Sequence, residues 1–213
     1  MISAVLWDFG GVLTTSPFEA FNRFEKAKGL PDNFLRTVNS TNPNANAWAK
    51  FERSDITAKE FDTLFLKEST ALGHPVRGNE VIALLSGDLR PRVVAALQRI
   101  AKDRKCVCLT NNVSAGHGPG MSRTDEAQKA VSGVMKLFDQ VIESSKIGMR
   151  KPDPEIYKYA CHEMGVEPAE VLYLDDLGIN LKPAAAMGMK TIKVLNEVQA
   201  LTDLGDALDQ SFL

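Results

Sequence analysis

Apolar positions along this chain fall into two kinds of run. Short stretches rich in Val, Ile and Leu stand at 3–8 (SAVLWD), 106–110 (CVCLT), 140–143 (QVIE), 171–175 (VLYLD) and 191–195 (TIKVL). From residue 106 onward they alternate with helical patterns at 122–137, 154–164 and 180–187. Alternating strands and helices build βα units, so the pattern predicts an α/β protein: a Rossmann-like parallel sheet with helices on both faces. Boundary residues agree. Asp153-Pro154 offers an N-cap followed by a proline at the first helical position, Ser122 with Asp125 resembles a capping box, and Gly165 and Gly188 are helix stops.

The period changes between the first strand and the second. Residues 17–85 show no strand pattern, only amphipathic helical stretches near 17–28, 44–52, 58–72 and 78–85, interrupted by Pro31, Pro43 and Pro75. A helical block inserted after the first strand of an α/β core reads as a small cap. The expected division is a core of residues 1–15 and 89–213 with a helical cap of 16–88. The segment DLRPRVVAALQRIAKDRK returns the chain to the core through a helix of its own, and residues 198–213 form one short amphipathic packing helix.

Composition narrows the classes. A length of 213 residues holds one full core with a small satellite domain. With 44% apolar residues and 25 basic against 27 acidic groups, neither disorder nor a dedicated nucleic-acid surface is expected. No apolar run approaches the roughly 18 residues of a membrane span. The N-terminus MISAVLWDFG has no basic leader, so it does not read as a signal peptide. Cys106, Cys108 and Cys161 are an odd set in apolar contexts, read as buried thiols of a cytoplasmic protein.

Four short stretches carry candidate chemistry at strand ends, where open α/β sheets bind ligands: VLWDFGG with Asp8, CVCLTNN with Thr110, RKPDPEIY with Lys151 and LYLDDLGIN with Asp175 and Asp176. Taken singly, each has an ordinary reading as a turn residue, a strand end, a surface lysine or a capping acid. Asp8 followed by Phe9-Gly10-Gly11 places a carboxylate where the backbone can approach a ligand closely. Thr110, with the backbone N–H of Asn111, offers donors to a phosphate. Lys151 stands in an extended Lys-Pro-Asp-Pro segment beside a helix N-terminus. Asp175 and Asp176 are adjacent on a strand, so their side chains should diverge with only one facing the crevice. With Asn180 they suggest oxygen ligands for a hard cation such as magnesium.

In their order, these motifs resemble the haloacid dehalogenase superfamily, in the subgroup with a helical cap inserted after the first motif. DFGGVLTTSP, LTNN, GMRKPDPEIY and LDDLGINLKPAAAMGM carry the likeness, which covers essentially the whole chain. The resemblance implies a hydrolase in which Asp8 attacks phosphorus and forms an aspartyl-phosphate. It implies magnesium (Mg2+) held by Asp8, the backbone carbonyl of Gly10 and Asp176, with Asp175 or Asn180 in support. Thr110 and Lys151 would bind the transferring phosphoryl group, with Asn111 and Gly11 on the substrate side, and the cap would select a small phosphorylated metabolite.

One part of the family pattern is missing. Family phosphatases usually carry a second Asp two residues after the nucleophile, where this chain has Gly10. That Asp protonates the leaving group and then activates water, and its loss costs on the order of a hundredfold if nothing substitutes. Three outcomes stay open: a substrate with a good leaving group, another proton source among Thr14, Thr15 and His117, or binding with little turnover. A 2-haloacid dehalogenase is the rival enzyme, opposed by the acidic pair. The loop GHGPG at 116–120 lacks the form of a phosphate loop and reads as a rim loop. Monomer and homodimer are equally compatible with the sequence.

Overall fold

The structure is a computed structural model that describes residues 1–114, 121, 122 and 124–212. His117 and the GHGPG loop lie outside the described residues. Five strands form one parallel sheet: β1 (Ala4–Trp7), β2 (Lys105–Thr110), β3 (Gln140–Glu143), β4 (Val171–Asp175) and β5 (Lys190–Lys193), in the order β3-β2-β1-β4-β5. Each strand falls on one of the five apolar runs. Helices α1 (Pro17–Lys28), α2 (Phe34–Ser40), α3 (Ala47–Glu52), α4 (Ala58–Ala71) and α5 (Gly78–Ile82) follow β1, and α6 (Pro91–Ile100) leads into β2. The remainder are α7 (Asp125–Met135), α8 (Ser144–Ile147), α9 (Pro154–Met164), α10 (Gly178–Ala186) and α11 (Glu197–Leu208). No helix among the described residues is long and apolar enough to cross a membrane.

Side-chain alternation in the strands divides the core. Val5 and Trp7 of β1, with Cys106, Cys108, Leu172 and Leu174, face one way and pack on α6, α7 and α11. Ala4, Leu6, Val107, Leu109 and Tyr173 face the other and pack on α9 and α10. Cys106 and Cys108 therefore share a face, and burial pushes the Cys106 thiol up to about 12. Because both faces of the sheet are covered, its strands read as continuous apolar runs rather than alternating ones.

The five helices after β1 gather around a third cluster, built on Phe21, Phe34, Phe51, Phe61 and Phe65. Phe51 and Phe61 stack with centroids 4.6 Å apart, and Phe61 and Phe65 lie 5.4 Å apart. The cap is thus a small aromatic core of its own, joined to the sheet by two adjacent segments. An isolated antiparallel bridge pairs Thr14 with Leu89, Thr15 N donates to Asp88 O at 2.8 Å and Arg90 N to Leu13 O at 2.8 Å.

Local expectations need three corrections. The N-cap of α7 is Thr124, whose hydroxyl accepts from Ala127 N, and not Ser122. Residues 151–152 lie in a turn with a cis Lys151–Pro152 bond, not in an extended segment. Helix α2 was not foreseen. Its N-cap, Asn33, is left-handed and makes no side-chain cap, so it lacks a local start signal. Glu25 of α1 does that work instead: its buried carboxylate accepts from Asn33 N at 3.0 Å and Leu35 N at 2.9 Å.

Candidate active site

Strand order makes the site. The chain runs outward from β1 to β2 and β3, then returns to β4 on the other side of β1, so the direction of winding reverses there. In such sheets the crevice for ligands opens beyond the carboxyl ends of the strands at the reversal. Asp8 follows β1 directly and is tied to the end of β4 by its N–H, which donates to Leu174 O at 2.8 Å. One of its carboxylate oxygens, Oδ1, accepts from Phe9 N at 2.7 Å and from Lys151 Nζ at 2.9 Å.

Lys151 is almost wholly buried, with its ammonium set between Asp8 and Asp175, at 2.8 Å from the latter's Oδ2. Burial works against a charged lysine, but Asp175 and then Asp8 outweigh it, and Lys151 is held protonated. Its backbone is gripped by Asn111: Asn111 Oδ1 accepts from Lys151 N at 2.9 Å, and Asn111 Nδ2 donates to Lys151 O at 2.9 Å. The side chain of Asn111 therefore positions the lysine. Thr110 ends β2, is a buried residue and lines the same cavity, and no hydrogen bond of its hydroxyl is found among the described residues.

Of the adjacent acids Asp175 and Asp176, only one lines the cavity, as expected. The strand ends at Asp175, which is fully buried, while Asp176, the next residue, lines the cavity. Asp8, Asp175 and Asp176 each bring a carboxylate oxygen within 4.8 Å of the others. Their surroundings differ. Asp175 is fully buried, and its oxygens accept from Leu177 N at 2.8 Å, Lys151 Nζ, the Tyr173 hydroxyl at 2.5 Å and Asn180 Nδ2 at 3.1 Å. Asn180 thus directs its amide at Asp175. Asp176 keeps more free acceptor capacity, with Oδ2 receiving the Ser16 hydroxyl at 3.2 Å.

The cluster is electrostatically strained. Burial raises the Asp8 carboxyl well above its ordinary range, with Lys151 opposing and Asp175 and Asp176 adding to the rise. Burial, followed by the Asp175 charge, lifts Asp176 to about 6. Three oxygen donors around too little positive charge are a fitting donor set for a hard divalent cation. Gly11 is what admits Asp176. Its φ is +79°, and a Cβ there would lie 2.2 Å from Asp176 Oδ2. Gly10 is different, with no atom within 4 Å of the position a Cβ would take and no left-handed backbone.

Above these residues lies a cavity of about 650 Å³ between sheet and cap. Phe18, Phe21, Trp48, Leu85, Val113 and Met121 give it apolar walls. Glu52, at the end of α3, was not singled out in the sequence. Its carboxylate accepts from Arg150 Nε at 2.5 Å and Trp48 Nε1 at 2.9 Å, and Asn111 Nδ2 approaches it at 3.4 Å. Burial raises the Glu52 carboxyl even so, with Arg150 opposing. Ser16 was missed as well. Both act across long sequence separations that local patterning does not register.

Comparison with known proteins places the whole arrangement. The family model described as haloacid dehalogenase-like hydrolase matches residues 2–188, and the chain belongs to that family. Bifunctional epoxide hydrolase 2 of Mus musculus is 31% identical over 210 residues, 93% of this chain, but the chain spans only 37% of that protein. Sesquiterpene phosphatase astK of Aspergillus oryzae is 28% identical over 207 residues, 94% of either chain. Among solved structures, a family enzyme of Bacteroides thetaiotaomicron in complex with magnesium and inorganic phosphate shares the fold. Its TM-score is 0.61 at 22% identity, over 92% of this chain and 97% of that one. The chain thus belongs to a hydrolase family and has phosphatases among its relatives.

Proposed function

We propose that the protein is a magnesium-dependent phosphohydrolase that cleaves phosphomonoesters through an aspartyl-phosphate on Asp8. The observation that carries this reading is the convergence of Asp8, Asp175 and Asp176 around the buried Lys151 ammonium at the sheet's reversal point. Asp8 Oδ1 is held by Phe9 N and Lys151, which leaves Oδ2 as the nucleophilic oxygen. Attack by Asp8 Oδ2 forms an O–P bond as the ester P–O bond breaks, and the leaving alkoxide takes a proton from solvent water. Water then cleaves the acyl phosphate, releasing inorganic phosphate and restoring the Asp8 carboxylate. Lys151 and the free Thr110 hydroxyl face the phosphoryl oxygens and offset their charge. Asp8, Asp176 and the Gly10 carbonyl would hold magnesium, which when bound supplies the positive charge this acidic cluster lacks.

The proton for the leaving group has no carboxyl source at Gly10. Thr14 lines the cavity but donates to Thr15 O at 3.0 Å, and the Thr15 hydroxyl accepts from Asp88 N at 3.0 Å, so both hydroxyls serve the cap connection. Esters with good leaving groups are therefore the favoured substrates. The apolar walls fit a phosphoester with a hydrophobic body, in keeping with a sesquiterpene phosphatase among the relatives. The test is phosphate release from a broad panel of phosphorylated metabolites, with and without magnesium, beside an Asp8→Asn variant. Magnesium-dependent release that the variant abolishes is the expected result. Tight binding of phosphate esters with no Asp8-dependent release would instead mark a binding protein, the reading that Gly10 favours.

A further inference from the structure

Three cations line the cavity, and two of them are neutralised. Lys151 lies between Asp8 and Asp175, and Arg150 meets Glu52 at 2.5 Å. Arg36 of α2 is the third, and no carboxylate among the described residues stands within ion-pairing distance of it. Its guanidinium is fixed in place all the same. Cζ sits 4.2 Å from the centroid of the Phe18 ring, and Nη1 donates to Asn33 Oδ1 at 3.0 Å. Its Nε–H is buried with no partner. Asn39, one turn further along α2 and also on the cavity wall, has a buried Oδ1 that is likewise unpartnered.

A fixed, partly dehydrated guanidinium without a counter-charge is costly unless something supplies one. The wall also carries the neutral polar residues Asn39, Ser40 and Asn44, none of which supplies a counter-charge. A planar two-oxygen anion matches a guanidinium edge and forms charge-assisted hydrogen bonds to it. We infer that Arg36 is the binding point for a second oxyanion on the substrate, separate from the phosphate beside Asp8. The substrate class is then a phosphoester whose apolar body carries a further carboxylate or phosphate. A hydroxyl or N–H next to that anion would also satisfy Asn39. This inference rests on the phosphohydrolase reading, because it takes the same cavity to hold the substrate.

The experiment is calorimetric titration, with magnesium present, of a graded series of plain alkylphosphonates against ω-carboxy and ω-phosphono counterparts. Phosphonates bind without being cleaved, so binding is read apart from turnover. At the chain length that reaches Arg36, the ω-anionic ligand is expected to bind roughly ten- to hundredfold more tightly than the plain one. Arg36→Met, which keeps an apolar stem over Phe18, should bring that ratio close to one, and Arg36→Lys should restore part of it. The two ω-groups tell carboxylate from phosphate. Plain alkylphosphonates that bind without any gain from the second anion, or a gain that survives Arg36→Met, would overturn this inference alone. No binding of any member would overturn the phosphohydrolase reading with it.

Discussion

At the scale of single residues, Gly10 and Gly11 are neighbours with opposite meanings. Gly11 is enforced by a left-handed backbone and by Asp176 pressed against it, whereas a Cβ added at Gly10 would meet no atom within 4 Å. Gly10→Asp should therefore fold normally and supply the acid that the family pattern contains. Steady-state kinetics should show a rise in kcat/KM of about tenfold or more on esters with poor leaving groups, and little change on activated esters. No gain on either would show that acid catalysis is not the missing term. Asp176 allows a second prediction. Its folded value of about 6 lies above the ordinary 3.8, so protonation favours the folded state. That contribution is complete below the unfolded value and is lost as pH rises through about 6. Magnesium needs the ionised form, so its stabilising effect should be small near pH 5 and larger near pH 7.5. Thermal melts with and without magnesium across that range check it.

The elements show how far the sequence could be read. Each strand was legible because its apolar run is bounded on both sides, and Asp8, Thr110 and Asp175 were legible as ends of those runs. The converse cases share one cause. Helix α2 is started by Glu25 from another helix, Asn111 acts on Lys151 from 40 residues away, and Glu52 meets Arg150 across 98 residues. Nothing in a local window distinguishes such groups from surface polar residues. For α2, Glu25→Ala should strip two backbone N–H groups of a buried acceptor and cost about 2–4 kcal/mol in thermal or chemical unfolding. Glu25→Gln, which keeps one acceptor oxygen, should cost less. Equal losses would mean that shape and not hydrogen bonding sets the contribution.

For the molecule as a whole, the question is what holds cap and sheet in register around the cavity. Beyond the paired connecting segments, polar contacts bridge the two bodies: Glu52 with Arg150, Arg150 Nη1 with Pro43 O at 3.2 Å, and Ser54 with Ser114 and the Ser145 carbonyl. The Glu52–Arg150 pair is mostly shielded from solvent, so removing one partner leaves a poorly solvated charge. A double-mutant cycle on Glu52→Gln and Arg150→Met should return a coupling of about 1–3 kcal/mol in stability. Each single change should also alter KM, since both residues line the cavity.

Ser16 stands at the seam between these scales. Its hydroxyl accepts from Phe18 N at 3.4 Å, capping the first helix of the cap, and donates to the Asp176 carboxylate at 3.2 Å. A single oxygen thus belongs both to the cap and to the acidic cluster beside it. Linkage runs in both directions across such a contact. A ligand whose binding strained the cap contact would change the hold on Asp176, and a cation taking Asp176 would act back on the cap by the same free energy. If a divalent ion binds this cluster, its affinity should shift when the Ser16 contact is removed, a readout obtainable without ever following the reaction.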